Sequence, residues 1–336
     1  MVITSSFFRI SGYHLCDLQH HVHQIQDFSL SEATKRSYHA VWTTYLKFCD
    51  FLKLQPFPAC SSTIAAFITL VSFSVKSYHT ISNYLSAPYC LHVFCHLDTS
   101  AFDDIQVKLT QKGLEKSMMH IPHRKASLTP SILFNFRAHF NLHDSAHLAL
   151  LCTLLVGFFT FLRTANLIPH AFDRFSPQLA LSRGSVHFND LGACLTVTRT
   201  KTRQAGDTAL VVPLPLIPGS LLYPTTALQL LLRMVPAPCP LFTYPSTSNQ
   251  LTCITAKSLN DSIKHLAALI SLDPQDFSGQ SLHRGGATFA FQCGIPAELI
   301  KLQGDWHSDP YMLYLSLPLA DRLVLTRIIA EHIQTL

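Results

Sequence analysis

Charge is scarce in this chain. Asp, Glu, Lys and Arg make up 13% of its 336 residues, while apolar residues make up 48%, a balance that excludes a disordered, solvated polypeptide. Any apolar run long enough to span a bilayer is also missing. The longest, LALLCTLLVGFFTFL at 148–162, falls short of the roughly 18–20 residues required and is closed by Arg163. It reads as a buried core helix, and no membrane partner is expected. The opening MVITSSFFRISGYHL has neither the basic start nor the long apolar stretch of a secretory signal. The ten cysteines show no disulfide rhythm, as expected of reduced thiols. A nuclear or cytoplasmic protein, not a secreted one, is therefore expected. Cys90, His92, Cys95 and His96 lie close together, but no second Cys-x-x-Cys pair accompanies them and the surrounding stretch reads as an apolar helix. No metal or other cofactor is expected. The net charge of +5 is compatible with a polyanionic partner without demanding one.

What is present is a succession of capped helices. Residues 1–24 form a loose leader. From Ser29 or Ser31 a helix begins, with Tyr38, Val41, Trp42, Tyr45, Leu46, Cys49 and Leu52 on one buried face and Lys35, Arg36 and Lys47 elsewhere. A second helix, capped by Ser61 or Ser62, a third broken at Pro88 and a further one over AFDDIQVKLTQKGLEKSM complete an all-helical domain at 25–118. The polar, basic MMHIPHRKASLTP marks a linker at 119–127, with Arg124 and Lys125 in it. Pro130 then opens a helix after Ser127 or Thr129, and the core helix ending at Arg163 follows. The alternation in SVHFNDLGACLTVTRTKTRQAGDTALVVPLP, with turns near 189–192 and 205–207, predicts a small antiparallel sheet. Helices return from Thr225.

The last third carries the chemistry. In GQSLHRGGATFA a polar, basic loop leads into a helix, and helix starts of this kind suit anions. Gly294 closes that helix, Pro296 and Gly304 bracket the next, and Ser308 or Asp309 caps a third that holds Tyr311 and Tyr314. This segment, SGQSLHRGGATFAFQCGIPAELIKLQGDWHSDPYMLYL, resembles the C-terminal catalytic segment of the tyrosine recombinases, or phage integrase family. It is most similar to the versions carried by eukaryotic DIRS-like mobile elements. The resemblance covers residues from about 25 to 318.

The resemblance implies a mainly α protein: an N-terminal all-α, SAM-like core-binding domain and an α+β catalytic domain at 128–318 with a small antiparallel sheet, the DNA breaking-rejoining enzyme fold. It implies double-stranded DNA as partner, no small-molecule substrate, and cleavage through a 3′-phosphotyrosine link. Cations must then surround the phosphate as charge builds on its oxygens, and an acid must protonate the leaving oxygen. Carried over, Arg163 matches the first catalytic arginine, Lys201 the hairpin lysine that serves as general acid, and Trp306 the residue that packs on the phosphate. Tyr314 matches the nucleophile, with Tyr311 as competitor. Arg284, Lys35, Arg36, Arg124 and Lys125 are candidate DNA contacts. The family's tetramer on DNA implies self-association. The amphipathic tail at 319–336 either exchanges between protomers or folds back on its own core.

The opening motif departs from the pattern. The family's His-x-x-Arg falls on Gln280 and His283, with Arg284 about 100° further round the helix, and Asn166 replaces an acidic residue three after Arg163. Glutamine carries no proton and histidine lacks the bidentate fork. The expectation is a DNA strand transferase with impaired activity. The alternatives are a catalytically inactive, mobile-element-derived DNA-binding protein and, from a third class, a helical interaction domain.

Overall fold

The computed structural model describes residues 21–22, 25–26, 29–118, 123–200, 209–235 and 238–306. It divides into two units, Met1–His123 and Arg124–Leu336. Lys201, Tyr311, Tyr314, the expected turn at 205–207 and the tail lie outside the described residues.

In the first unit, α1 spans Glu32–Leu52. Ser31 caps it by accepting from the Thr34 N–H at 3.2 Å. Val41, Tyr45, Phe48 and Cys49 are buried along it. Leu46 and Leu52, expected inside, are exposed, and Phe48 takes their place. Helix α2 (Ser61–Ser72) starts with Cys60 at its cap position. Helix α3 (Tyr78–Phe94) runs through Pro88 without the expected break. A mid-helix proline removes an N–H and crowds the preceding turn. Here Pro88 is buried, the Trp42 indole donates to the Ala87 carbonyl at 2.6 Å, and His92 Nδ1 donates to the Pro88 carbonyl at 2.8 Å. The Trp42 bond from α1 and the His92 bond within the helix hold its turns together at Pro88. His92 Nε2 accepts from the Ala59 N–H at 2.9 Å, so both ring nitrogens face backbone groups and neither is open to a metal. Helix α4 (Ile105–Ser117), capped by Asp104, completes the unit around Tyr45, Ile64, Phe67, Ile68, Ile81 and Val107.

In the second unit, Thr129 caps α5 (Pro130–Arg137), with Pro130 in its first turn. Helix α6 (Ser145–Thr160) is the greasy stretch, buried from Leu148 to Phe158. No helix among the described residues is long and apolar enough to cross a membrane. Helix α6 stops at Thr160 instead of reaching Arg163, because Phe161 adopts a left-handed conformation (φ 55°) and turns the chain. A short α7 (Thr164–Leu167) follows. Strands β1 (Val186–Asn189), β2 (Gly192–Val197) and β3 (Leu210–Pro215) form an antiparallel sheet in that order, with Phe188 opposite Ala193 and Leu195 opposite Val212. Leu210, Val212 and Leu214 alternate inward.

Helix α8 (Pro224–Met234) leads into a hairpin absent from the sequence reading, β4 (Thr243–Pro245) and β5 (Leu251–Cys253). Its three-residue strands are too short to show alternation. Helix α9 (Ala256–Leu269) begins with a reciprocal Thr255–Ser258 cap. Helix α10 (Gln280–Gln292) and α11 (Ala297–Gln303), set between Pro296 and Gly304, follow. Arg183, 5% exposed, joins these pieces. It donates to the carbonyls of Leu231 (3.1 Å), Leu232 (3.1 Å) and Val235 (2.7 Å) at the end of α8 and to that of Thr243 (2.8 Å). Its charge there meets the negative end of the helix dipole.

Candidate active site

The site is assembled where α10 crosses the end of α6. Glycines permit the approach. A Cβ on Gly286 would strike the Phe158 carbonyl and lie 2.6 Å from the Phe161 ring, and one on Gly279 would lie 2.6 Å from Thr164 Oγ1. The start of α10 is thereby pressed against the turn that carries Arg163. Phe161, whose left-handed backbone makes that turn, stacks on Trp306 with centroids 6.4 Å apart and planes 5° from parallel. Trp306 is buried in a small cluster with Ala287 and Ile300. Arg163, Trp306 and the first turns of α10 therefore belong to one packed region.

Helix α10 begins earlier than the sequence reading places it. Gln280, His283 and Arg284 lie in its first turns and not in a preceding loop. Nor is its N-terminus an open anion site. The N–H groups of Gln280, Ser281 and Leu282 already donate to Ser278 Oγ (3.3 Å), the Ser278 carbonyl (2.8 Å) and the Gly279 carbonyl (3.4 Å). Any anion recognition here has to come from side chains.

Those side chains differ sharply. Arg163 is half-buried, and its guanidinium makes no hydrogen bond or ion pair among the described residues. Gln280 is exposed. His283 is 5% exposed. Burial first, and then the charges of Arg163 and Arg284, push its pKa down to about 4, so its imidazole is neutral near pH 7. Arg284 is half-buried and donates through Nη1 to the Lys125 carbonyl at 2.7 Å. Lys125 donates through Nζ to the Gln275 carbonyl at 2.5 Å. The Ala126 and Leu128 N–H groups bond the carbonyls of Asp276 (2.7 Å) and Ser281 (3.0 Å). The segment after Arg124 is thus strapped along α10, while Arg124 itself is exposed.

Two contacts that the sequence did not disclose tie the sheet to this region. Asn166 Nδ2 donates to the Arg199 carbonyl at 3.1 Å. The hydroxyl of buried Thr200 donates to the carboxylate of buried Asp305, which directly precedes Trp306. The adjacency of Thr200 to Lys201 and of Asp305 to Trp306 was the signal available. In the first unit, Lys35 pairs with Glu32 at 3.1 Å and Arg36 is exposed. Both line an open groove of about 610 Å³ with His39, Trp42 and Phe94. Among the described residues no group of three or more His, Cys, Asp or Glu side chains could hold a metal ion.

The chain is similar in fold to the Tn1549 transposon integrase in complex with transposon right end DNA, with a TM-score of 0.55 and 13% identity over 92% of this chain and 98% of that one. A second structure of that integrase, with a circular intermediate DNA, gives a TM-score of 0.54 and 15% identity over the same shares. No protein-family model and no curated protein matches the sequence.

Proposed function

We propose that this chain is a DNA-binding tyrosine recombinase, of the kind carried by DIRS-like mobile elements, acting on double-stranded DNA in the nucleus as a self-associating protein. The observation that carries the reading is the packing of Trp306 and of the turn that carries Arg163 against α10, with the Arg163 guanidinium unengaged by the described protein. In this reading Arg163 clamps a non-bridging phosphate oxygen and Trp306 closes one side. The Tyr314 oxygen bonds to phosphorus as the bond to the 5′-oxygen breaks. Lys201 gives that oxygen its proton, which balances the one lost by tyrosine. The phosphodiester energy is kept in the new link, and no metal or nucleotide takes part.

His283 sets the rate. A neutral imidazole where the family has an arginine leaves one cation fewer on the phosphate, a loss on the order of 2.7–4 kcal/mol. The same observation favours a second reading, a DNA-binding protein that no longer cleaves. A nicked suicide duplex tests both. The recombinase reading expects a covalent complex that Tyr314→Phe abolishes. Salt-sensitive binding without an adduct, persisting after Gln280→His and His283→Arg together, would establish the second reading.

A further inference from the structure

The two contacts at Arg199 and Thr200 converge on successive residues, and the next residue in the chain is Lys201. Asn166 belongs to the turn after Arg163, and Asp305 belongs to the turn before Trp306. We propose that Asn166 and Asp305 are positioning residues that grip the segment leaving strand β2 and tie it to the turns that carry Arg163 and Trp306. The inference rests on the recombinase reading for the lysine's role, but the grip itself does not.

The chemistry of each grip is specific. Asn166 offers an N–H to a carbonyl, which an ionised carboxylate in its place could not do. The family's acid at this position would set two acceptors against each other, so Asn166→Asp impairs the chain instead of restoring it. Asp305 accepts from the Thr200 hydroxyl while both residues are buried. A charge-assisted bond away from water is stronger than its surface equivalent. Asp305 also has a left-handed backbone (φ 50°), which turns the chain between the end of α11 and Trp306. One residue therefore shapes the Trp306 turn and takes hold of the sheet. A general acid displaced by about 1 Å commonly loses on the order of 100-fold in rate, so two anchors immediately before the acid have a clear use.

A paired-substrate measurement tests this. One suicide duplex has the ordinary 5′-oxygen leaving group and the other a 5′-bridging sulfur, which departs as a thiolate without a proton. Thr200→Val and Asn166→Asp are expected to slow covalent trapping about 10- to 100-fold on the oxygen substrate and little on the sulfur one. Thr200→Ser, which keeps the hydroxyl, restores the native rate. Equal slowing on both substrates, or no slowing on either, overturns the positioning role. Hydrogen exchange at Val197–Thr200 provides a readout without catalysis. It is expected to quicken in Thr200→Val and Asn166→Asp and not in Thr200→Ser, and unchanged exchange overturns the grip. If the native chain forms no adduct on either duplex, the recombinase reading fails, and the exchange result still decides the grip.

Discussion

Two arginines of the second unit, Arg163 beyond the end of α6 and Arg183 packed on the end of α8, behave as different residues. Arg183, at the end of α8, is enclosed and donates to four backbone carbonyls. Arg163, beyond the end of α6, is half-open and has none of its guanidinium donors engaged by the described protein. An arginine whose two terminal nitrogens already have backbone acceptors holds a fold together. One whose charge acts on the glycine-rich helix at His283 and whose donors are left open is available to an anion. The sequence alone distinguishes them poorly, since Arg163 stands out only through its resemblance to a family motif and Arg183 through nothing at all.

Four experiments bear on that contrast. The largest effect is expected from Arg183→Met, which leaves buried carbonyls unpartnered and should destabilise the second unit by about 3–5 kcal/mol in denaturant unfolding. A loss below about 1 kcal/mol would refute a structural role. Arg163→Ala should do the reverse, lowering covalent trapping by about 100- to 1,000-fold with little change in the unfolding midpoint. A large fall in stability there would place Arg163 with Arg183.

The third concerns His283, whose folded pKa of about 4 lies below its ordinary 6.5. The unfolded chain therefore binds the proton first as pH falls. The stability this group contributes is complete above about 6.5 and is lost progressively between 6.5 and 4, on the order of 3 kcal/mol in all. His283→Gln should remove that slope from the pH dependence of unfolding, and an unchanged slope would assign it elsewhere. The smallest effect is expected from His283→Arg combined with Gln280→His. It should raise trapping by about 100-fold, and no gain would mean that the neutral imidazole is not what limits the site.

Much of the fold was legible where one local rule decides the outcome. Ser31, Thr129 and Pro130 mark helix starts, Pro296 and Gly304 bracket α11, and alternation marks β2 and β3. It was not legible where distant residues override local preference. Pro88 stays helical where Trp42, from another helix, bonds its turn, and Phe161 turns left-handed where it stacks on Trp306. The start of α10 looked open to anions because nothing in its spacing reveals that Ser278 takes up its N–H groups. Likewise the site's residue types could be picked out by motif, whereas the depressed pKa of His283 and the bonds to Arg199 and Thr200 depend on neighbours far away in the chain.

The most direct test of the central claim is to digest the adduct formed on a nicked suicide duplex and locate the residue bearing the 3′-phosphate by mass spectrometry. The expected product is a single modified peptide with the phosphate on Tyr314, its yield dependent on Arg163 and unaffected by metal chelation. A phosphate on Tyr311 would move the nucleophile by one turn. No adduct from the native chain or from the Gln280→His, His283→Arg protein would contradict strand transfer altogether.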